Sequence, residues 1–164
     1  MKTVFSILLL LSAMSVTFAQ NIVKIGDDDI QLEVLDLTGA GKIQWGGYEE
    51  IGAVARSEKN GATNTKAIVM AVGGNSGYNN NNYAAKLCDT TTAGGHDDWY
   101  LPAKDEANLI YLNMKDFGWS ESMTLWTSTE ASGTQAVSLY TYNGTWYNVA
   151  KVDSYNMVCV RKIK

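Results

Sequence analysis

Gly95-His96-Asp97-Asp98-Trp99-Tyr100-Leu101-Pro102 decides how this chain is read. It runs from a glycine- and aspartate-rich turn into three large apolar residues and stops at the chain's only proline. Trp99-Tyr100-Leu101 is expected to be a short strand closed by Pro102, because proline has no N–H with which to continue a ladder. A helix should follow at once. Ala107, Ile110, Met114 and Phe117 recur at helical spacing, Asp105 and Glu106 fall in the first turn where the dipole favours acids, and Gly118 can take the left-handed position after the end. Ala103 holds the cap position, where Ser or Thr would complete a capping box with Glu106. This start therefore forgoes about 1 kcal/mol.

Upstream, Tyr83 to Cys88 reads as a helix in which residues 84, 87 and 88 share a face, so Cys88 points inward, and the asparagine run 79–82 can cap it. Residues 64–72 read as another helix, with Thr63 or Asn64 as N-cap and Gly73-Gly74 as its stop. Residues 30–37 alternate as a strand that ends at Gly39-Ala40-Gly41. Asp27-Asp28-Asp29 lacks the D-x-[DN]-x-[DN]-G spacing of a calcium loop and reads as an acidic turn. Downstream, residues 137–142 and 145–150 flank Asn143-Gly144, a strong two-residue hairpin signal. That loop would pair Tyr142 with Thr145, Tyr140 with Tyr147 and Leu139 with Asn148. Val137, Leu139, Trp146 and Ala150 then face the core, and Tyr140, Tyr142 and Tyr147 form an aromatic cluster on the other side. Residues 157–160 are the last strand.

The chain has 164 residues, enough for one domain. Its 13 basic residues are outnumbered by 17 acidic ones, which argues against nucleic acid or an anionic membrane as the main partner. One histidine and two cysteines exclude multi-His, Cys₄ zinc and iron–sulfur sites. Residues 1–19 read as a cleaved signal peptide, with Lys2 before an apolar run from Val4 to Val16 and Thr17-Phe18-Ala19 at the cleavage site. That run is too short to span a bilayer. The mature chain keeps 12 basic against 17 acidic residues, a net charge of −5, and is expected to be secreted or periplasmic with no membrane span. In an oxidising compartment Cys88 and Cys159 read first as a disulfide; a redox-active pair would call for a C-x-x-C spacing that is missing.

Several segments together resemble one secreted bacterial family. They are Ile43-Gln44-Trp45-Gly46, Ile51-Gly52, Gly61-Ala62-Thr63-Asn64-Thr65 with Ile68, Ala84-Ala85-Lys86-Leu87-Cys88, residues 95–102, Leu125-Trp126-Thr127-Ser128-Thr129-Glu130 and Cys159-Val160-Arg161. In order and spacing the chain resembles the Lcl C-terminal-type domain, named after the Legionella collagen-like protein and similar to the Fibrobacter major paralogous domain. The resemblance covers residues 44–161 and divides the chain into a signal peptide (1–19), an N-terminal strand segment (20–42) and the domain proper (43–164). It implies an α+β, C-type-lectin-like fold with two or three helices around a small antiparallel sheet. It also implies terminal strands brought together and a helix-to-last-strand disulfide, which would be Cys88–Cys159. Ala103 departs from the Ser or Thr usual in the family. The negative charge makes sulfated or uronic-acid glycans, associated with some adhesins of the family, electrostatically less natural here.

Catalytic equipment is sparse. His96 could act as a base oriented by Asp97 or Asp98, but no Ser or Cys nucleophile is tied to it, and the segment reads better as a turn. Oxidative chemistry like that of the related formylglycine-generating enzyme fold would need free thiols. Asp97 and Asp98 are the calcium candidates, without the E-P-N, Q-P-D or W-N-D signatures of calcium-dependent sugar binding; no other cofactor is expected. Tyr140, Tyr142, Asn143, Tyr147 and Asn148 are the candidate ligand-binding residues, since tyrosines and amides suit sugar rings and protein surfaces alike. Trp45, Trp99, Trp119 and Trp126 are expected in the core. The expected function is a non-catalytic, adhesin-like recognition module for an extracellular glycan or surface protein. The alternatives are a divergent enzyme and an assembly protein without a small ligand.

Overall fold

A computed structural model describes residues 22–26, 30–74, 82–119 and 122–163. The expected signal peptide, the Asp27-Asp28-Asp29 turn and asparagines 79–81 lie outside the described residues. Strands β1 (Ile22–Gly26), β2 (Gln31–Asp36), β3 (Ile43–Gln44), β4 (Thr124–Glu130), β5 (Gln135–Tyr140), β6 (Thr145–Ala150), β7 (Ser154–Tyr155) and β8 (Val158–Lys162) surround helices α1 (Gly61–Val72), α2 (Ala84–Asp89) and α3 (Lys104–Leu112). Among the described residues the strands form three antiparallel sheets, ordered β1-β2-β8, β3-β7 and β4-β5-β6, where a single small sheet was expected. No described helix is long and apolar enough to cross a membrane.

The β1-β2-β8 sheet is covered on both faces. Leu32, Val34, Val158 and Val160 pack with Ile110 of α3, while Leu35 and Cys159 join Cys88, Trp45, Trp99 and Trp126 in the main core. Cys88 and Cys159 are bonded, with Cα atoms 5.4 Å apart, so α2 is stapled to β8 as the sequence reading had it. On the β4-β5-β6 sheet, Leu125 and Leu139 pack against Ala107 of α3, with Trp146 alongside.

Residues 95–102 hold this arrangement together, though not as a strand. Tyr100 exchanges two 2.8 Å backbone hydrogen bonds with Val160, and the pairing stops there. Leu101 instead donates its N–H to Thr65 Oγ1 of α1 and accepts from the same hydroxyl, and Pro102 has no N–H to offer. The Trp99 indole donates to the carbonyls of both Ala93 and His96, which closes the Gly-Gly-His-Asp-Asp turn from inside.

Helix α1 begins three residues before its expected start. Asn60 is the N-cap and accepts from Thr63 N. Asn64 is a buried clasp: its amide donates to Ser57 O at 2.7 Å and accepts from Ser57 N. The buried Glu106 carboxylate accepts from Gly61 N, Ala103 N and Tyr100 Oη, so two helix starts converge on one acid. A Cβ on Gly61 would stand 2.5 Å from that carboxylate, which explains the glycine. Burial pushes the Glu106 carboxyl above its ordinary range, against the pull of these donors.

Glu106 thus supplies its half of a capping box, while Ala103 has no side-chain acceptor to supply the other half. The remaining first-turn N–H groups borrow partners from afar: Lys104 N donates to Thr129 Oγ1 and Asp105 N to Glu58 O. Ala103→Ser adds an acceptor for the Glu106 N–H and is expected to stabilise the protein by about 1 kcal/mol, read as a raised midpoint in urea unfolding. Helix α3 also ends earlier than its spacing suggests. The Asn113 side chain donates to Leu109 O, and Met114–Phe117 tightens into a 3-10 turn before left-handed Gly118.

The hairpin forms with a different register. Tyr140 pairs with Thr145, Leu139 with Trp146 and Val137 with Asn148, so the loop has four residues, 141–144. The cause lies outside the hairpin. Buried Thr141 donates its N–H to Met123 O and accepts from Met123 N through Oγ1, which ties it to the approach to β4. Gly144 then closes the loop at φ 73°, where the Tyr111 ring leaves no room for a Cβ.

Candidate binding cleft

A cleft of about 530 Å³ opens where β2–β3, the Gly118-Trp119 turn and the ends of β4, β5 and β7 meet. Trp119, Tyr140 and Tyr155 line it beside Thr38, Lys42, Ser122, Thr124 and Asn156. The rings are fixed in place. Asp36 accepts from the Trp119 indole at 2.7 Å through one carboxylate oxygen and from Thr38 N and Oγ1 through the other. Phe117 stacks on Trp119 with centroids 4.7 Å apart, and Trp126 meets Tyr155 edge-on at 5.0 Å. Asn156 exchanges backbone hydrogen bonds with Thr124 and Trp126, and its amide donates to Thr38 O. Burial, with the Asp153 carboxylate nearby, holds the Tyr155 phenol above its usual range, so it stays a neutral hydroxyl.

Tyr140 links this cleft to the tyrosine cluster. Its ring lies 6.1 Å from Tyr142 and 6.4 Å from Tyr147, and those two are 74% and 47% exposed. Asn143 is exposed in the same loop as Tyr142, with its Oδ1 accepting from Thr145 N, whereas Asn148, next to Tyr147 in β6 and paired with Val137, is exposed on the other face of the sheet. The five predicted residues belong to one hairpin, but of them Tyr140 alone is among the cleft's lining, which otherwise comes from residues not predicted as a site. Trp45, Trp99 and Trp126 are in the core as expected, while Trp119 meets that expectation in part: it is half-buried, packing against the Ile110–Val158 and Ala107–Leu125 clusters with one side and lining the cleft with the other.

The other candidates are engaged in structure. Asp98 receives two hydrogen bonds from Arg161, which also bonds Glu33 across to β2. Asp97 is exposed, and His96 sits half-buried in its turn. Among the described residues no three His, Cys, Asp or Glu side chains stand close enough to hold a metal. Both thiols are consumed in the disulfide, so chemistry that needs free cysteines has none to use.

Hydrogen bonding to Arg161 holds the Glu33 and Asp98 carboxyls below their ordinary range. A folded pKa below the unfolded one gives stability that is present above the ordinary carboxylate value, about 4, and lost as pH falls through the folded value. Acid unfolding is therefore expected to be shallower in Arg161→Gln than in the parent, seen as a smaller drop in urea midpoint between neutral pH and pH about 3.

In comparisons with known proteins, no protein-family model matches the chain, and no curated protein sequence matches it.

Proposed function

We propose that the protein is an exported, non-catalytic recognition module that binds an extracellular glycan through the cleft around Trp119, Tyr140 and Tyr155. The observation that carries this reading is three aromatic rings, Trp119 braced by Phe117, Tyr155 braced by Trp126, and Tyr140 between them and the hairpin, surrounded by hydroxyls and an amide in an open cleft. Braced rings stack on the C–H faces of sugars at little entropic cost, and the polar rim can meet their hydroxyls. The apolar leader read at residues 4–16 and the disulfide fit an extracytoplasmic protein. The mixed α+β layout, the β2–β8 pairing of the chain's two ends and the α2-to-β8 disulfide support placement among Lcl C-terminal-type domains of C-type-lectin-like fold.

A glycan array probed with the oxidised mature protein tests this. Signal on one glycan group, abolished by Trp119→Ala with an unchanged circular dichroism spectrum, is the expected result. An array blank for the parent, or one on which Trp119→Ala performs equally, overturns the assignment. A tight homo-oligomer in light scattering together with a blank array points to an assembly protein.

A further inference from the structure

The cleft does not end at its own rim. Tyr140 lines it and also stands at the head of the exposed cluster, with the Tyr142 ring inclined 38° to its own and the Tyr147 ring nearly edge-on at 65°. Tyr142 thus continues the platform, while Tyr147 forms a side wall. The 6.1 Å step between Tyr140 and Tyr142 is on the scale of one pyranose unit. Charge along this path is low. Lys42 is the charged residue among the described cleft lining, and the hairpin contributes Tyr142, Asn143 and Tyr147. One lysine among the described lining is a small basic footprint for a polyanion, and the chain's net charge of −4 opposes one at longer range.

Resting on the glycan reading above, we infer that the site takes a neutral, linear, equatorially linked polysaccharide along its length. Successive sugars would lie over the Trp119–Tyr155 cleft, Tyr140 and Tyr142. Equatorial linkage keeps such a chain flat, so consecutive units present their C–H faces to rings set side by side. A site for a single terminal sugar would have no use for the exposed Tyr142, whereas a polymer site uses it as an outer subsite. Tyr142 is fully replaceable without disturbing the core, since its ring is mostly in solvent.

The test is calorimetric titration of the oxidised protein with cello-, chito- and xylo-oligosaccharides of one to six units. Affinity is expected to rise about tenfold between the disaccharide and the tetrasaccharide of at least one series, the gain from a further stacked ring. Tyr142→Ala should abolish that length-dependent gain, and Tyr147→Ala should reduce it less. Binding that is independent of length, or a gain that survives Tyr142→Ala, overturns the polymer assignment while leaving the glycan reading in place. An array positive only for charged glycans, with none of the three series binding, also overturns it. A protein that binds no glycan of any kind sinks the underlying reading instead.

Discussion

Lys151→Met is expected to cost the fold about 3–5 kcal/mol. Lys151 and Glu130 are both fully buried, with Nζ 2.7 Å from Oε1. The Glu130 carboxylate also accepts from Ile51 N and Gly52 N, and Arg56 Nε stands 3.4 Å from it. Lys151 in turn donates to Glu49 O and lies 4.6 Å above the Trp45 ring. The pair therefore fastens residues 49–52 to the ends of β4 and β6. Removing the cation leaves a buried carboxylate with Arg56 as its remaining charged neighbour, so the lower half of the range is the better expectation. Burial pushes the Glu130 carboxyl up, but the hydrogen bonds from Ile51, Lys151 and Gly52 outweigh it and hold the group below its ordinary value. The pH dependence follows from that sign. Without Lys151 the burial effect gains on the hydrogen bonds, so the variant's deficit is largest at neutral pH and shrinks as acid neutralises Glu130. Urea unfolding at pH about 7 and pH about 4 reads both effects. A deficit under about 1 kcal/mol at neutral pH would mean that the pair behaves like an exposed one. Adding Glu130→Gln to Lys151→Met should restore part of the loss, because the stranded charge goes with it.

The Cys88→Ser, Cys159→Ser double variant is expected to lose about 4 kcal/mol, the chain-entropy value for a crosslink at a separation of 71 residues. Both cysteines are completely buried and sit in the cluster shared by Trp45, Trp99 and Trp126. Serine hydroxyls in that setting add a polar burial cost to the entropic one. For a domain of this size, the melting temperature should fall by more than 10 °C. Equal midpoints for the oxidised parent and the double variant would show that the bridge adds nothing to the sheet pairing and helix packing already present.

The two buried networks show how far the residues could be read in advance. The stapling pair was legible because two cysteines in an exported chain leave one pairing, and the short helix before Cys88 was legible from its apolar face. The Leu-Trp-Thr-Ser-Thr-Glu segment was recognised as a unit, but the function of Glu130 was not, since its partners Ile51, Gly52 and Lys151 are about 80 and 21 residues away in the chain. The two hairpin strands were legible from alternation, although Tyr142 belongs to the loop between them and not to a strand face. Their register was not, because Thr141 is committed to Met123, a contact that no short-range turn rule contains. The same holds for Trp99-Tyr100-Leu101, whose second hydrogen-bonding position is taken by Thr65 of a helix.

The cleft was the least legible part. Tyr140 is legible from its place on the hairpin, whereas Trp119 reads as a core residue and Tyr155-Asn156 carries no local signal. Thr38 and Lys42 come from the β2–β3 connection, Trp119 from the turn after Gly118, Tyr140 from the end of β5 and Asn156 from the segment after β7, and they are brought together by the pairing of β4 with β5, by Asn156 bonding β4 and Thr38, and by Trp119 bonding Asp36.

The most direct measurement is the indole region of a ¹⁵N-correlated NMR spectrum during titration with the glycan that gives the strongest array signal. Trp45, Trp99 and Trp126 are buried with their indole N–H groups bonded to backbone carbonyls, whereas the Trp119 indole sits at the cleft on Asp36. A saturable shift of the Trp119 signal, with the three buried indoles unmoved, is the predicted result. A Trp119 signal that stays in place while the bound glycan shifts resonances elsewhere would contradict the assignment of the cleft.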